Sequence, residues 1–385
     1  MSLEELLSQV RTFREMVVDP NVARWEHDRT MAVDALRDAA TLGLMGMEVP
    51  VEQGGLGIGF LGKLAVADLL CETSMPFAFS LINTANVAAR MATAGTDSQR
   101  ERYLDDLLTG RRFGCSALTE LGAGSDFAAI RTRAERVDGG WKLNGEKAWI
   151  TNAAEADIVL CYAQTEPGSG GSGIGSFLVD GRHDGFVRNE PYDLMGGHLI
   201  GTGGFQLVDH FVADEDVLAP PGQGFKAALE SINGARTYVA SMCCAMVRTS
   251  LGHAVAYGTH RQAFGKTLLD HQGLAWSLAD VANQLEAAQL LTQVAARSIA
   301  AGDNRAAMTQ AAHAKKFATE MAEPAIAACI QAMGANGLRE EMPMGRHMAA
   351  ARIANYTDGS TQIMTDRIAA TLAETYPLPP EHPAW

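Results

Sequence analysis

A chain of 385 residues is too long for one ordinary core and suits two or three domains. It is 47% hydrophobic and 20% charged, as a soluble globular protein is, and its net charge of −14 (pI about 5.2) argues against general binding to nucleic acid or acidic membranes. The longest apolar runs fall short of the roughly 20 residues of a membrane span, and the acidic start MSLEELLSQV lacks the basic start and apolar core of a secretory signal.

Residues 1–112 read as helical. ALRDAATLGLMGM carries an apolar stripe at Leu36, Ala40, Leu44 and Met47, close to helical spacing. EVPVEQGGLGIGF is a turn by composition, and FLGKLAVADLLCE predicts a further helix. Residues 113–220 change character. RTRAERVDGGWKLNGEKAWI predicts two strands joined by Asp138-Gly139-Gly140, a hairpin signal. DIVLCYAQT and IGSFLVDG are β-type runs either side of EPGSGGSG, and GGFQLVDHFV adds another. Residues 221–385 return to helix. Leu274, Leu278, Val281 and Leu285 repeat at helical spacing within a long stretch free of Gly and Pro, which suggests a bundle. Gly302-Asp303-Asn304 should end that helix, Pro324 should kink or break the next, and the tail YPLPPEHPAW should not be helical. The expected fold is mainly α with a central β-domain.

Most motif-like features have bland explanations. GSGGSG (168–173) fits the spacing GxGxxG, but a strand follows it where a dinucleotide site needs a helix, so a hairpin loop is expected. The cysteines (Cys71, Cys115, Cys161, Cys243, Cys244, Cys329) are scattered without CxxC spacing, as buried reduced thiols of a cytoplasmic protein would be. No zinc spacing, P-loop or nucleophile elbow is present, and no metal is expected. ALTELGAGSD (117–126) is either an ordinary loop or one whose small residues let backbone N–H groups approach a ligand. KAWITN (147–152) places Trp149 and Thr151 on one strand face, with Trp149 either core or cofactor platform. RQAFGKTLLDHQ could be a solvated helix end with one buried Phe.

Taken in order, the pieces are specific. They are Thr119-Glu120 with Gly122–Asp126, Trp149-Ile150-Thr151-Asn152, Arg261 with Phe264-Gly265 and Gln272, Gln331 with Gly334, and Asp358-Gly359-Ser360-Thr361-Gln362-Ile363. Over nearly its whole length the chain resembles the acyl-CoA dehydrogenase family, including PVEQGGLGIG near residue 50. The resemblance implies an N-terminal helical domain, a middle β-barrel-like domain and a C-terminal four-helix bundle. It implies FAD bound without a dinucleotide fold. Ser116, Leu118, Thr119, Gly124 and Ser125 would lie along the flavin and its phosphates, with Trp149 and Thr151 flanking the ring and Ser360 and Gln362 following the catalytic loop onto the cofactor. Arg261, Phe264, Gln272, Gln331, Gly334 and Ala335 would complete the adenine half from a neighbouring subunit, so a homodimer or homotetramer is implied.

By the same resemblance Asp358 stands where the family usually has its catalytic glutamate, the base for an α-proton, while hydride leaves the β-carbon for flavin N5. Its backbone N–H would help polarise the thioester carbonyl. Ser125, Arg236, Tyr356 and Thr357 would face the substrate, an acyl-CoA or acyl-carrier-protein thioester, and an electron-transfer flavoprotein or similar acceptor would take the electrons. The chain departs from the family pattern in four places. Aspartate is one methylene shorter than glutamate, and Ala235 stands where some members carry the base. Thr357 replaces a common aromatic beside the acid, with Tyr356 one place earlier, and Leu121 replaces a common proline. A flavin monooxygenase on the same fold, or a non-catalytic flavoprotein, is the alternative reading.

Overall fold

The computed structural model describes residues 1–377. Residues 378–385 of the tail, with the non-helical expectation for them, lie outside that range. Six helices come first: α1 (Leu3–Phe13), α2 (Val22–Asp28), α3 (Val33–Thr41), α4 (Gly59–Cys71), α5 (Met75–Ala94) and α6 (Asp97–Leu108). Their starts are written locally. Ser2 and Glu5 form a reciprocal cap on α1, Thr96 and Gln99 do the same on α6, and Ser74 caps α5 just ahead of Pro76, whose fixed φ suits a first turn. The stripe Leu36, Ala40, Leu44 and Met47 is buried as expected. The helix itself stops at Thr41, because Gly43 takes a left-handed conformation (φ +78°) and turns the chain into a short 3₁₀ segment.

The middle of the chain forms β1 (Phe113–Ala117), β2 (Arg133–Val137), β3 (Gly140–Ile150), β4 (Ala156–Gln164), β5 (Ile174–Asp180), β6 (Phe186–Arg188), β7 (Gly203–Ala213) and β8 (Val217–Ala219). They make one eight-stranded sheet in the order β6-β7-β3-β2-β4-β5-β8, with β1 parallel to β4. The hairpin expected at Asp138–Gly140 joins β2 to β3. GSGGSG is the connection between antiparallel β4 and β5, as expected of a hairpin loop. The sheet has its own core, around Cys115, Phe177, Val179 and Phe205.

The rest is helical: α7 (Gly224–His260), a two-stranded turn of β9 (Gln262–Ala263) and β10 (Lys266–Thr267), α8 (Gln272–Ala300), α9 (Asn304–Met333), α10 (Met344–Ala354), α11 (Thr361–Ala369) and α12 (Leu372–Thr375). The predicted stop at 302–304 is present: Gly302 turns left-handed and Asp303 caps α9. Pro324 does not break α9. It removes a single N–H, and the helix continues on either side because Ala322, Ala325, Ile326 and Cys329 are packed in the core. By length and composition α7 could cross a membrane, unlike anything expected from the sequence, yet it is mostly buried inside the protein as a core helix. Its interior contacts are small: Ala235, Ala240, Cys243, Cys244 and Ala245 on α7 pack in one core with Ala311, Ala314 and Ala318 of α9.

Candidate active site

The turn between α10 and α11 holds Asp358. Its base is clipped shut: Thr361 Oγ1 donates to Asn355 Oδ1 (2.9 Å), Thr361 N–H to Asn355 O (3.2 Å), and the N–H groups of Tyr356 and Thr357 donate to Ile353 O. Ser360 caps α11 through Ile363 N–H. At the tip Asp358 (φ +54°) and Gly359 (φ +96°) are both left-handed, a conformation glycine enters freely and aspartate tolerates better than most residues. Among the described residues, the Asp358 N–H donates to nothing.

Two cations reach this tip, and both take backbone carbonyls. Lys315 of α9, fully buried, donates to Gly359 O (2.6 Å), and Arg236 of α7 donates through Nε to Asp358 O (3.3 Å) and through Nη1 to Asn233 Oδ1 (3.0 Å). The carboxylate itself is left alone: Oδ2 is shut off from solvent and has no hydrogen-bond partner among the described residues. Burial pushes the Asp358 carboxyl up to about 6, against the pull of Lys315 and Arg236. Burial likewise brings Lys315 down to about 8 and Arg236 down to about 10. Ala235 is buried and carries no acid to replace Asp358. The Thr357 hydroxyl is turned back onto Ile353 O (2.9 Å), so it finishes α10, while Tyr356 is exposed. Two surface clefts, of about 620 Å³ between α3 and α6 and about 360 Å³ among α4, α7 and α8, lie away from Asp358.

The β-domain supplies a second set. Ser116, the last residue but one of β1, is half-buried, as are Leu118 and Thr119 beyond the strand, and Gly124 and Ser125 are exposed. A Cβ added to Gly122 or Gly124 would meet nothing within 4 Å, so this backbone borders open space. A buried ion pair braces the segment. Lys147 Nζ reaches Glu120 Oε1 (2.9 Å) and Leu118 O (3.1 Å), and the N–H groups of Arg131 and Thr132 close on Glu120.

Trp149 and Thr151 are not two neighbours on one strand face. The β3–β7 register shifts between Lys147 and Ile150, Trp149 is left-handed (φ +60°), and Thr151 lies past the strand in a turn. The outcome still places Trp149 outside the core: it is 54% exposed and rests on Tyr192, ring centres 4.5 Å apart. Asn152, left-handed and buried, closes the turn by bonding Ser80 O, Thr84 Oγ1 and Gly114 O.

The third set sits on the far end of the bundle. Arg261 follows the last turn of α7, and Phe264-Gly265 form the β9–β10 turn, both left-handed, with Phe264 97% exposed. Phe264 is therefore not the buried residue of a helix end. Gln272 opens α8; Gln331, Gly334 and Ala335 are exposed where α9 passes into a 3₁₀ turn, which Asn336 ties to Tyr257 of α7 (2.8 Å). The Arg261 and Gln331 sets thus share one surface, while Ser360 and Gln362 stay with Asp358. Sequence reasoning missed Lys315, the Glu120–Lys147 brace and the Asn152 clamp. Lys315 had a signal: it stands on the buried stripe Ala311, Ala314, Ala318, Ala322, where a lysine is out of place.

Models of the acyl-CoA dehydrogenase N-terminal, middle and C-terminal domains match residues 2–111, 115–209 and 222–373. The chain belongs to the acyl-CoA dehydrogenase family and is an oxidoreductase of that flavin-dependent class. It is 32% identical to a short/branched chain specific acyl-CoA dehydrogenase of Rattus norvegicus, over 97% of this chain and 86% of that one. The structure of butyryl-CoA dehydrogenase from Megasphaera elsdenii superposes with a TM-score of 0.91 at 29% identity, covering 97% and 98% of the two chains. A glutaryl-coenzyme A dehydrogenase in complex with glutaryl-CoA gives 0.89 at 27% identity, covering 98% of this chain and 96% of that one.

Proposed function

We propose that this protein oxidises an acyl thioester, carried on coenzyme A or an acyl carrier protein, to the 2,3-unsaturated thioester, with Asp358 taking the α-proton. One observation carries this reading: a carboxylate oxygen sealed from solvent and given no hydrogen-bond partner among the described residues, although two cations stand at its turn. A buried polar atom is normally satisfied, and one left open beside unused donors is reserved for something that arrives later. A carboxyl raised to about 6 is mostly ionised at neutral pH and a better proton acceptor than an ordinary aspartate. The relatives' names, short/branched chain, butyryl and glutaryl, support a short acyl group.

The residues present fit FAD. The open backbone at Gly122 and Gly124 suits close approach of phosphate and ribityl groups, exposed Trp149 offers a ring wall, and Arg261 offers a cation for pyrophosphate. When bound, FAD supplies the acceptor for the hydrogen leaving the β-carbon as hydride. Ser116, Leu118, Thr119, Gly124, Ser125, Trp149, Thr151, Ser360 and Gln362 would hold it from one subunit. Arg261, Phe264, Gln272, Gln331, Gly334 and Ala335 would hold it from the neighbour, which makes the active form at least a dimer. The exposed Phe264, Trp276 and Leu338 support such a partner. Toward substrate, Arg236, Tyr356, Thr357 and Ser125 would border the thioester. The Asp358 N–H, unspent among the described residues, would donate to its carbonyl and so acidify the α-proton. An electron-transfer flavoprotein is the proposed acceptor, and the cytoplasm the proposed location.

The test is anaerobic bleaching of the bound flavin by a panel of acyl-CoA and acyl-carrier-protein thioesters, in the parent protein and in Asp358→Asn. We expect at least one short thioester to bleach the parent. The Asn variant should keep its flavin and its ligand affinity while reduction slows by about 10² or more. Undiminished reduction in the variant would remove Asp358 from the chemistry.

A further inference from the structure

We propose that Lys315 is the positioning residue of this site: its buried ammonium holds the Asp358–Gly359 turn by the Gly359 carbonyl and supplies the positive field in which Asp358 ionises. The inference rests on the reading of Asp358 as the proton acceptor. Packing does not explain this lysine. It is fully buried on α9 among Ala311, Ala314 and Ala318, where an apolar side chain of similar length would fill the space without burying a charge. Nor does an ion pair explain it, since among the described residues no carboxylate comes within salt-bridge distance of its Nζ. Among the described residues its one hydrogen bond is the 2.6 Å contact to Gly359 O, which spends one of three N–H donors.

The choice of acceptor matters. Arg236 takes Asp358 O and Lys315 takes Gly359 O, so two cations fasten two successive carbonyls of a turn whose residues are both left-handed. Fastened this way, the tip has little freedom to swing, and the carboxylate is still not tied up by either cation. A direct ion pair would fix the acid equally well but would hold its proton affinity down. Lys315 faces Asp358, Arg236 and the Cys243 thiol of α7. Asp358 faces Lys315 and Arg236, with the Tyr238 hydroxyl nearby on α7, and Arg367 of α11 faces Arg236. Of these groups, Lys315 exerts the largest pull favouring the ionised form of Asp358.

Three variants of the flavin-loaded protein separate the two duties. Lys315→Gln keeps a donor for Gly359 O and removes the charge. The pH midpoint of anaerobic flavin reduction should then move up by about one unit, because ionising Asp358 becomes harder, with the maximal rate little changed. Lys315→Met removes donor and charge together: the midpoint should rise by a similar amount and the maximal rate fall about tenfold or more as the tip loses its anchor. Lys315→Arg should bring the midpoint back toward the parent value. A second measurement needs no change at Lys315. With lysine side chains carrying ¹³C, Asp358→Asn should lower the Lys315 titration midpoint from about 8, since the carboxylate supports the ammonium. An unshifted midpoint of reduction in folded, flavin-loaded Gln and Met variants would overturn the assignment. So would a Lys315 titration indifferent to Asp358→Asn, which decides the matter if the Gln and Met variants do not fold. Undiminished reduction in Asp358→Asn would instead defeat the base reading, whatever Lys315 does.

Discussion

Glu120 and Asp358 are both sheltered carboxylates with a buried lysine at hand, and they are treated in opposite ways. Every oxygen of Glu120 is engaged: Oε1 by Lys147 and the Thr132 N–H, Oε2 by the Arg131 N–H. Burial pushes its carboxyl up, but Lys147 and the bonds from Thr132 and Arg131 outweigh it and hold the group below the ordinary carboxylate range. At Asp358 the cations are spent on backbone carbonyls, Oδ2 stays empty, and burial wins. The difference teaches that a neighbouring lysine does not by itself say whether a buried acid is structural. What decides is whether the lysine contacts the acid or the chain that carries it.

The sharpest way to break the comparison is to neutralise each acid and measure unfolding. Glu120→Gln leaves the Lys147 charge buried without its partner and should cost about 3–5 kcal/mol in chemical denaturation. A loss below about 1 kcal/mol would show that the brace is dispensable. Asp358→Asn should not weaken the fold at neutral pH and should strengthen it, because burial makes the ionised acid that it removes unfavourable there. The sign can be checked with pH. A carboxyl raised in the folded state stabilises the fold below its unfolded value and loses that contribution as pH climbs through about 6. The parent should therefore weaken relative to the Asn variant over that window, and a gap that closes instead would contradict the raised acid. The gentlest probe is the rate itself. On the proposed role of Asp358 as base, anaerobic flavin reduction should fall as pH drops, with its half-maximum near 6, because only an ionised carboxylate accepts a proton. A midpoint near the ordinary 3.8 would mean that Asp358 is as well served as Glu120.

Much of this was legible beforehand, for physical reasons. The hairpin at 138–140, the stop at 302–304 and the helix–sheet–helix order are local matters of turn residues and periodicity. The Asp358 turn was legible because Gly359 and the motif around it are contiguous. Trp149 and Thr151 were misplaced because alternation assumes an unbroken strand, whereas the register shift and left-handed Trp149 depend on how β3 meets β7. Lys315 lies 43 positions before Asp358, and only the packing of α9 against the α10–α11 turn brings its ammonium to Gly359. Glu120 and Lys147 likewise come together only through the sheet.

The Asn152 clamp has a mechanical consequence. One side-chain amide, fully buried, grips Ser80 and Thr84 of α5 and Gly114 of β1, while its backbone N–H is bonded to Ile200 O. Such directional bonds resist shear. The turn between β1 and β2 meets α7 differently, through the stacked rings of Phe127 and Phe225, 5.4 Å apart. The N-terminal helices and the sheet should therefore travel together as one stiff plate. Trp149, three residues from the clamp, should ride with the plate, and so should α7, which shares a core with the N-terminal helices and bonds to them through Arg248–Asp68 and Tyr238–Asn86.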